Sequence, residues 1–407
     1  MKRIKYLLAV LCCPLLLVQC QDKDNEETYR ELTTAEKQLV ESGNNFGFTL
    51  LQKVNESETD KNVFLSPLSV SIALGMTLNG AREETFDMMR STLEYEGLTQ
   101  EEINRNYLSL IRLLQGLDKK VIFEIANSIW YRNELTVQKQ FISDNQTYFD
   151  AEIAAMDFED PGSVDRINRW VSDKTHQKIQ SIIDKLDPNL VMLLVNAIYF
   201  KGTWSYEFEK DKTHDDLFVR GDGSSVPCSM MMQTGSFNYL HTEQYQAVDL
   251  PYGDGDFSMT IIRPNDGIGI DELIATFDQS RMQSIISGFN ISTGTIEMPK
   301  FKLELKYTLN DILKSMGMEI AFIPEMADFS GIDSINGRHL FISEVKHKTF
   351  VDVNEEGTEA AAVTSVGVGT TSIGDEFYFR ADRPFLFLIK ENRSQTVLFI
   401  GKVADPS

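Results

Sequence analysis

Ser66, Ser69, Asn196 and His347 are the residues whose types could together do nucleophilic chemistry: a hydroxyl, an imidazole to take its proton and an amide to orient them. The motifs that would assemble such a group are missing. No G-x-S-x-G nucleophile elbow and no Walker phosphate loop occurs. The histidines, His176, His214, His241, His339 and His347, never fall in H-E-x-x-H spacing, and no pair is placed to share a metal on one helix face. Asp254 and Asp256 could ligate calcium, but no EF-hand spacing accompanies them. They sit in Gly253-Asp254-Gly255-Asp256, between Ala247–Leu250 and Phe257–Thr260, which reads as a hairpin turn. Gly367-Val368-Gly369 lacks the third glycine and the following helix of a dinucleotide site. No catalytic residue, metal or cofactor is therefore expected, and the chain is not expected to be an enzyme.

The elements around these residues describe a large α+β protein. Of 407 residues, 42% are hydrophobic and 10% aromatic, enough to build a substantial core. A net charge of -22 argues against nucleic acid, whose phosphates need clustered Lys and Arg, and against a polyanionic cofactor. Helical periodicity covers Glu31–Val54, Ser66–Asn79, Glu83–Leu93, Glu101–Leu114 and Phe141–Phe149. Strand patterns cover Val121–Tyr131, Val191–Phe200 and Ser258–Arg263. No repeat or Pro-rich linker divides residues 31–407, which are expected to form a single large domain.

Residues 1–20 differ. Lys2, Arg3 and Lys5 precede an apolar run from Tyr6 to Val18, a signal-peptide layout too short to span a membrane. Leu17-Val18-Gln19-Cys20 resembles a bacterial lipobox, with Gln19 larger than the usual residue before the cysteine. Acylated at Cys20, the protein would be held on a membrane by its lipid chains. Residues 21–30 are then an acidic tether, similar to the surface-export signal of some Gram-negative lipoproteins. The expected location is the bacterial outer membrane, at the cell surface or on the periplasmic face. With Cys12 and Cys13 in the leader, only Cys228 remains in the folded body, so no internal disulfide is expected there; a buried, chemically inert role is its ordinary reading.

One stretch remains unassigned. Glu355-Glu356-Gly357-Thr358-Glu359-Ala360-Ala361-Ala362 is followed by eight residues of Val, Thr, Ser and Gly, then Thr371-Ser372. At strand period, Thr358, Ala360, Ala362, Thr364, Val366, Val368 and Thr370 share one face, and none is charged or large. Glu359 and Ser365 lie on the other. Such a segment can be buried as a strand inside a sheet.

That pattern resembles the reactive-centre loop of the serpins. Further resemblance comes, in family order, from Asn62-Val63-Phe64-Leu65-Ser66-Pro67-Leu68-Ser69, Asn196-Ala197-Ile198-Tyr199-Phe200-Lys201-Gly202-Thr203-Trp204 and Met298-Pro299-Lys300-Phe301. Asp382-Arg383-Pro384-Phe385 and Leu398–Val403 match the closing hairpin, and the likeness runs from about residue 31 to 405. It implies helices bundled around a central mixed β-sheet, smaller β-sheets, and an exposed reactive loop at about 355–380.

The resemblance also implies roles. Ser66, Ser69, Asn196 and His347 match the shutter, a polar cluster where the strands of the central sheet part. Trp204 and Lys300 match the top of that sheet, the breach, and residues 355–362 the hinge. An ion pair between Glu355 and Lys300 is expected to restrain early insertion. Function would be suicide inhibition: a serine protease attacks the loop, forms its acyl-enzyme, and is carried off as the cut loop enters the sheet. Thr358 to Thr371 as a strand spans about 45 Å. Sixteen residues on from Glu355, the reactive bond falls at Thr371-Ser372; eleven back from Pro384 it falls at Ile373, with Val368 a further alternative. Because no Lys or Arg lies between Glu355 and Phe379, elastase-like or subtilisin-like proteases are the expected partners. A papain-like cysteine protease and a non-inhibitory binding or storage protein are the alternatives; the protein is expected to be a monomer.

Overall fold

The computed structural model describes residues 30–187, 190–358 and 376–407. Its first helix, α1 (Thr34–Ser57), begins at Thr34 because Thr33 caps it. The Thr33 hydroxyl accepts from Glu36 N, and the Glu36 carboxylate accepts from Thr33 N, a reciprocal arrangement that stops the helix short of Glu31. In α2 (Pro67–Leu78) every residue but Ala73 is buried, and apart from Ser69, Ser71 and Thr77 none is polar. Ser66 caps it by accepting from Ser69 N, with Pro67 in the first turn where no backbone N–H is needed. The remaining helices are α3 (Glu83–Thr92), α4 (Gln100–Leu114), α5 (Lys139–Phe149), α6 (Gly162–Lys174), α7 (Ile270–Ala275), α8 (Gln279–Gly288) and the short α9 (Asn310–Leu313).

The strands in chain order are β1 (Val63–Leu65), β2 (Val121–Arg132), β3 (Ala151–Met156), β4 (Met192–Thr203) and β5 (His214–Val219). They continue with β6 (Ser225–His241), β7 (Tyr245–Tyr252), β8 (Phe257–Pro264), β9 (Asn290–Pro299) and β10 (Phe301–Thr308). The last five are β11 (Lys346–Asn354), β12 (Gly357–Thr358), β13 (Phe377–Arg380), β14 (Phe385–Glu391) and β15 (Val397–Val403).

A six-stranded mixed sheet has the order β10-β11-β12-β4-β2-β3, with β2 and β3 parallel and its other pairs antiparallel. Among the described residues no ladder joins β4 directly to β11; the two-residue strand β12 stands between them. The smaller sheets expected beside it are joined into one nine-stranded sheet, because β6 is long enough to pair with β5, β7 and β9 along its length. This is the expected α+β architecture, helices around a mixed central sheet with a second sheet behind.

Aromatic side chains hold the two sheets together. Phe200 of β4 meets Tyr252, Phe257 and Phe399 of the nine-stranded sheet edge-on, and within that sheet Phe64 of β1 stacks on Phe387 of β14 and Phe399 of β15. On the opposite face, α6 and the segment after it bury Trp170, Ile179 and Ile183 against Trp130 of β2 and Val195 of β4. Residues Thr33–Ser407 form one compact unit. The other unit is Met1–Leu32, of which residues 30–32 are described.

Candidate functional site

The turn between β11 and β12 carries Glu355 and Glu356. Lys300 Nζ lies 3.0 Å from Glu355 Oε2, and Thr213 Oγ1 donates to Glu355 Oε1 at 2.8 Å. The Glu355 side chain is only 9% exposed against 41% for Lys300, so this pair is half-sheltered. Burial pushes the Glu355 carboxyl up, but its own backbone amide, the Thr213 hydroxyl and Lys300 outweigh that and hold it below the usual range. Lys210 pairs with the Glu356 carboxylate.

Backbone bonds fix the same turn. Trp204 N donates to Glu356 O at 3.0 Å, Phe208 N to Glu355 O at 2.9 Å, and the Trp204 indole N–H to Asn354 O at 3.0 Å. Gly357 has φ +148, and a Cβ there would lie 2.1 Å from Gly202 O, so only glycine lets the chain pass so close to β4. Thr358 then pairs with Val353 on one side and Gly202 on the other. Its hydroxyl lies 2.6 Å from that of Tyr252, which stacks on Trp204 at 4.4 Å. Burial raises the Tyr252 phenol well above its ordinary value and keeps it protonated. The Glu355–Lys300 pair thus coexists with two loop residues already in the sheet, and any restraint it exerts acts on the residues after Thr358.

Lower in the sheet, Ser66, Ser69, Asn196 and His347 are brought together in one chain of hydrogen bonds. Ser66 N donates to His347 Nε2 at 3.0 Å, and Ser69 N to Ser66 Oγ at 3.2 Å. The Ser69 hydroxyl donates to Asn196 Oδ1, Asn196 Nδ2 to Asn127 Oδ1 at 2.6 Å, and Asn127 Nδ2 to Phe149 O at 2.6 Å. Complete burial drops the His347 pKa to about 4, so the imidazole is neutral and accepts through Nε2. No nucleophile is activated here, because His347 accepts a backbone N–H and Ser66 Oγ donates to Leu398 O. The space between β4 and β11 deepens into a cavity of about 80 Å³, lined by Ser69, Leu74, Met192, Leu194, Asn196 and His347 among others.

Beyond the loop, β13 runs parallel to β9, and Arg380 fastens it. Its guanidinium donates to Asp216 at 2.5 Å, Glu297 at 2.8 Å and Asp382 at 3.1 Å. Among the described residues, His214, Asp216 and Glu297 are the one grouping close enough to share a metal. Arg380 already occupies it as counter-ion, which makes it an ion-pair cluster. Cys228, expected to be a buried small hydrophobe, is half-buried on β6, whose edge is only partly covered; burial and then Asp216 raise its thiol pKa.

Glu359, Ala360, Ala361, Ala362, Val368, Thr371, Ser372, Ile373 and Cys20 lie outside the described residues. Reasoning from sequence does not find Thr213, Lys210, Tyr252, Asn127 or Arg380. For Asn127 a signal exists: Asn127-Ser128 stands between the apolar pairs Ile125-Ala126 and Ile129-Trp130. Lys210 and Thr213 carry none, since their partners are 146 and 142 residues away.

Residues 41–406 match the family model described as Serpin (serine protease inhibitor). The chain is 36% identical to Iripin-2 of Ixodes ricinus, covering 90% of this chain and 94% of that one. It is 33% identical to the leukocyte elastase inhibitor of Equus caballus, over 91% of this chain and 100% of that one. Its structure superposes on that of a thermophilic serpin, tengpin, in the native state with a TM-score of 0.83 and 33% identity, covering 93% of this chain and 96% of the other.

Proposed function

The chain belongs to the serpin family, and from that premise we propose that it is a suicide-substrate inhibitor of serine proteases with elastase-like or subtilisin-like preference. It is not an enzyme in the catalytic sense; relatives include protease inhibitors. One observation carries the mechanism: the first residues after the hinge glutamates, Gly357 and Thr358, stand as a strand between β11 and β4, which no other described strand joins. If the register continues, Thr364, six residues on from Thr358, would stand opposite His347 and Asn196, six back from Val353 and Gly202. Val366 and Val368 would stand opposite Leu194 and Met192, which line the cavity. Since β4 begins at Met192, a strand of this length reaches the far end of the sheet just before Thr371. That supports a reactive bond at Thr371-Ser372, with Ile373 and Val368 as alternatives.

Mixing the purified protein with an elastase-like serine protease, followed by a denaturing gel and mass spectrometry of the released peptide, tests this. A band that survives denaturation, with a new N-terminus at residues 372–374, supports covalent trapping. Cleavage by every member of a panel of serine and papain-like proteases, with none trapped, would leave the binding or storage reading.

From residues 1–30 we propose in addition a cleaved signal peptide, a lipid on Cys20 and an acidic tether, placing the serpin domain on a bacterial outer membrane. Labelled fatty acid should enter the wild-type chain and not Cys20→Ser; equal labelling of both would sink this.

A further inference from the structure

Glu355 and Glu356 are neighbours in one turn, yet their carboxylates pair with lysines on opposite flanks of the opening, while Thr213, beside Lys210–Lys212, also donates to Glu355. Glu355 is paired to Lys300, in the link between β9 and β10. Glu356 is paired to Lys210, in the short turn Lys210–Lys212 that follows β4. The backbone of the segment after β4 also grips the turn, through Trp204 N and Phe208 N. Those bonds fix where the hinge backbone lies but leave two adjacent carboxylates to repel each other; each therefore needs its own cation. The Glu356 side chain is 15% exposed, so a bare carboxylate there would be poorly solvated, while the Lys210 ammonium, 64% exposed, keeps its water. The Glu356 bond, more than the general field, pushes the Lys210 amine up.

We propose that Lys210 is a positioning residue: through Glu356 it holds Gly357 and Thr358 in the sheet between β11 and β4, in register for the rest of the loop to follow. Its value to inhibition rests on the insertion reading above, but its effect on the hinge does not.

Hydrogen exchange of the full-length, uncut protein separates the two. Lys210→Gln and Glu356→Gln should each raise exchange of the hinge amides at 357–358 by about two- to fivefold, the range of one partly exposed ion pair. The double variant should go no further than either single one, Lys210→Arg should restore protection, and β14–β15 should be unaffected. High salt should raise hinge exchange more in the wild type than in the variants, which keep only the Glu355–Lys300 pair. Unchanged or slower hinge exchange in Lys210→Gln, or additive effects in the double variant, would overturn the assignment. The insertion reading fails by a different result: a wild-type protein whose thermal stability does not rise once its loop is cut.

Discussion

The hydroxyls of Thr358 and Tyr252 lie 2.6 Å apart in the buried space between the two sheets, 106 residues apart in sequence. Tyr252 belongs to β7 of the nine-stranded sheet and Thr358 to β12 of the six-stranded one, so a hydrogen bond ties the second residue of β12 to the sheet behind it. Tyr252 is itself packed against Trp204 and Phe200, and Thr358 beside it is buried.

On the proposed function, Thr358→Arg should therefore give a cut loop without a trapped protease. An unpaired guanidinium at a site 2% exposed opposes entry of the strand by several kcal/mol. Gels should show the loop cut at the same bond with no band surviving denaturation. Undiminished covalent complex would contradict the requirement that this residue be buried.

Glu355 predicts an acid-sensitive contribution. Its carboxyl is held below the ordinary value of 4.5, so the folded state favours the charged form. That stability is present above the unfolded value and lost as pH falls through the folded one. Glu355→Gln should cost about 1 kcal/mol at neutral pH, given a partner that is 41% exposed. In urea melts the gap between variant and wild type should close below the usual carboxylate range; a gap that stays constant into strong acid would exclude the ion pair as its source.

Much of this site is legible in the sequence. Strand period gives Thr358 its buried face, Ser66-Pro67 marks the start of α2, and motif order carries the serpin fold, although not the joining of its smaller sheets into one; the run after Glu359 lies outside the described residues. What stays hidden is partnership across the molecule. Strand period gives the face that Thr358 presents, but not that Tyr252 waits there; composition shows Lys210, but not that the turn after β4 aims it at Glu356. Burial is equally hard to read, since the Glu355–Lys300 pair is sheltered by Thr213 and Phe208, brought in by a segment with no helix or strand pattern of its own.

His347 gives a second pH dependence, in a different window. Its pKa falls from 6.5 to about 4 because burial disfavours the imidazolium. Between those values the unfolded chain binds more protons than the folded one, so stability rises with pH across the window and is lost on acidification. The loss should approach about 3 kcal/mol near pH 4. His347→Gln keeps an acceptor for Ser66 N and cannot titrate, so its stability should change less than that of the wild type between pH 6.5 and 4. Parallel curves would mean that His347 is charged in the folded protein, or that the loss of stability arises elsewhere.

The strictest test of the register comes from neighbouring loop positions of opposite parity. Continuing the pairing of Thr358 with Val353 and Gly202, Ala360 would stand opposite Val351 and Phe200, both buried, with its side chain on the same inward face as Thr358. Glu359 would stand opposite Asp352 and Lys201, both half-exposed, with its side chain outward. A carboxylate moved by one residue should therefore have unlike effects. Ala360→Glu should be cleaved without trapping, because a lone charge against Phe200 and Val351 has no counter-ion and no water. Glu359→Ala should trap its protease with unchanged yield. A one-residue slip reverses the faces of a strand, so if Glu359→Ala lost trapping while Ala360→Glu kept it, the loop would enter with the other face inward and the register set by Thr358 would not be the one it follows.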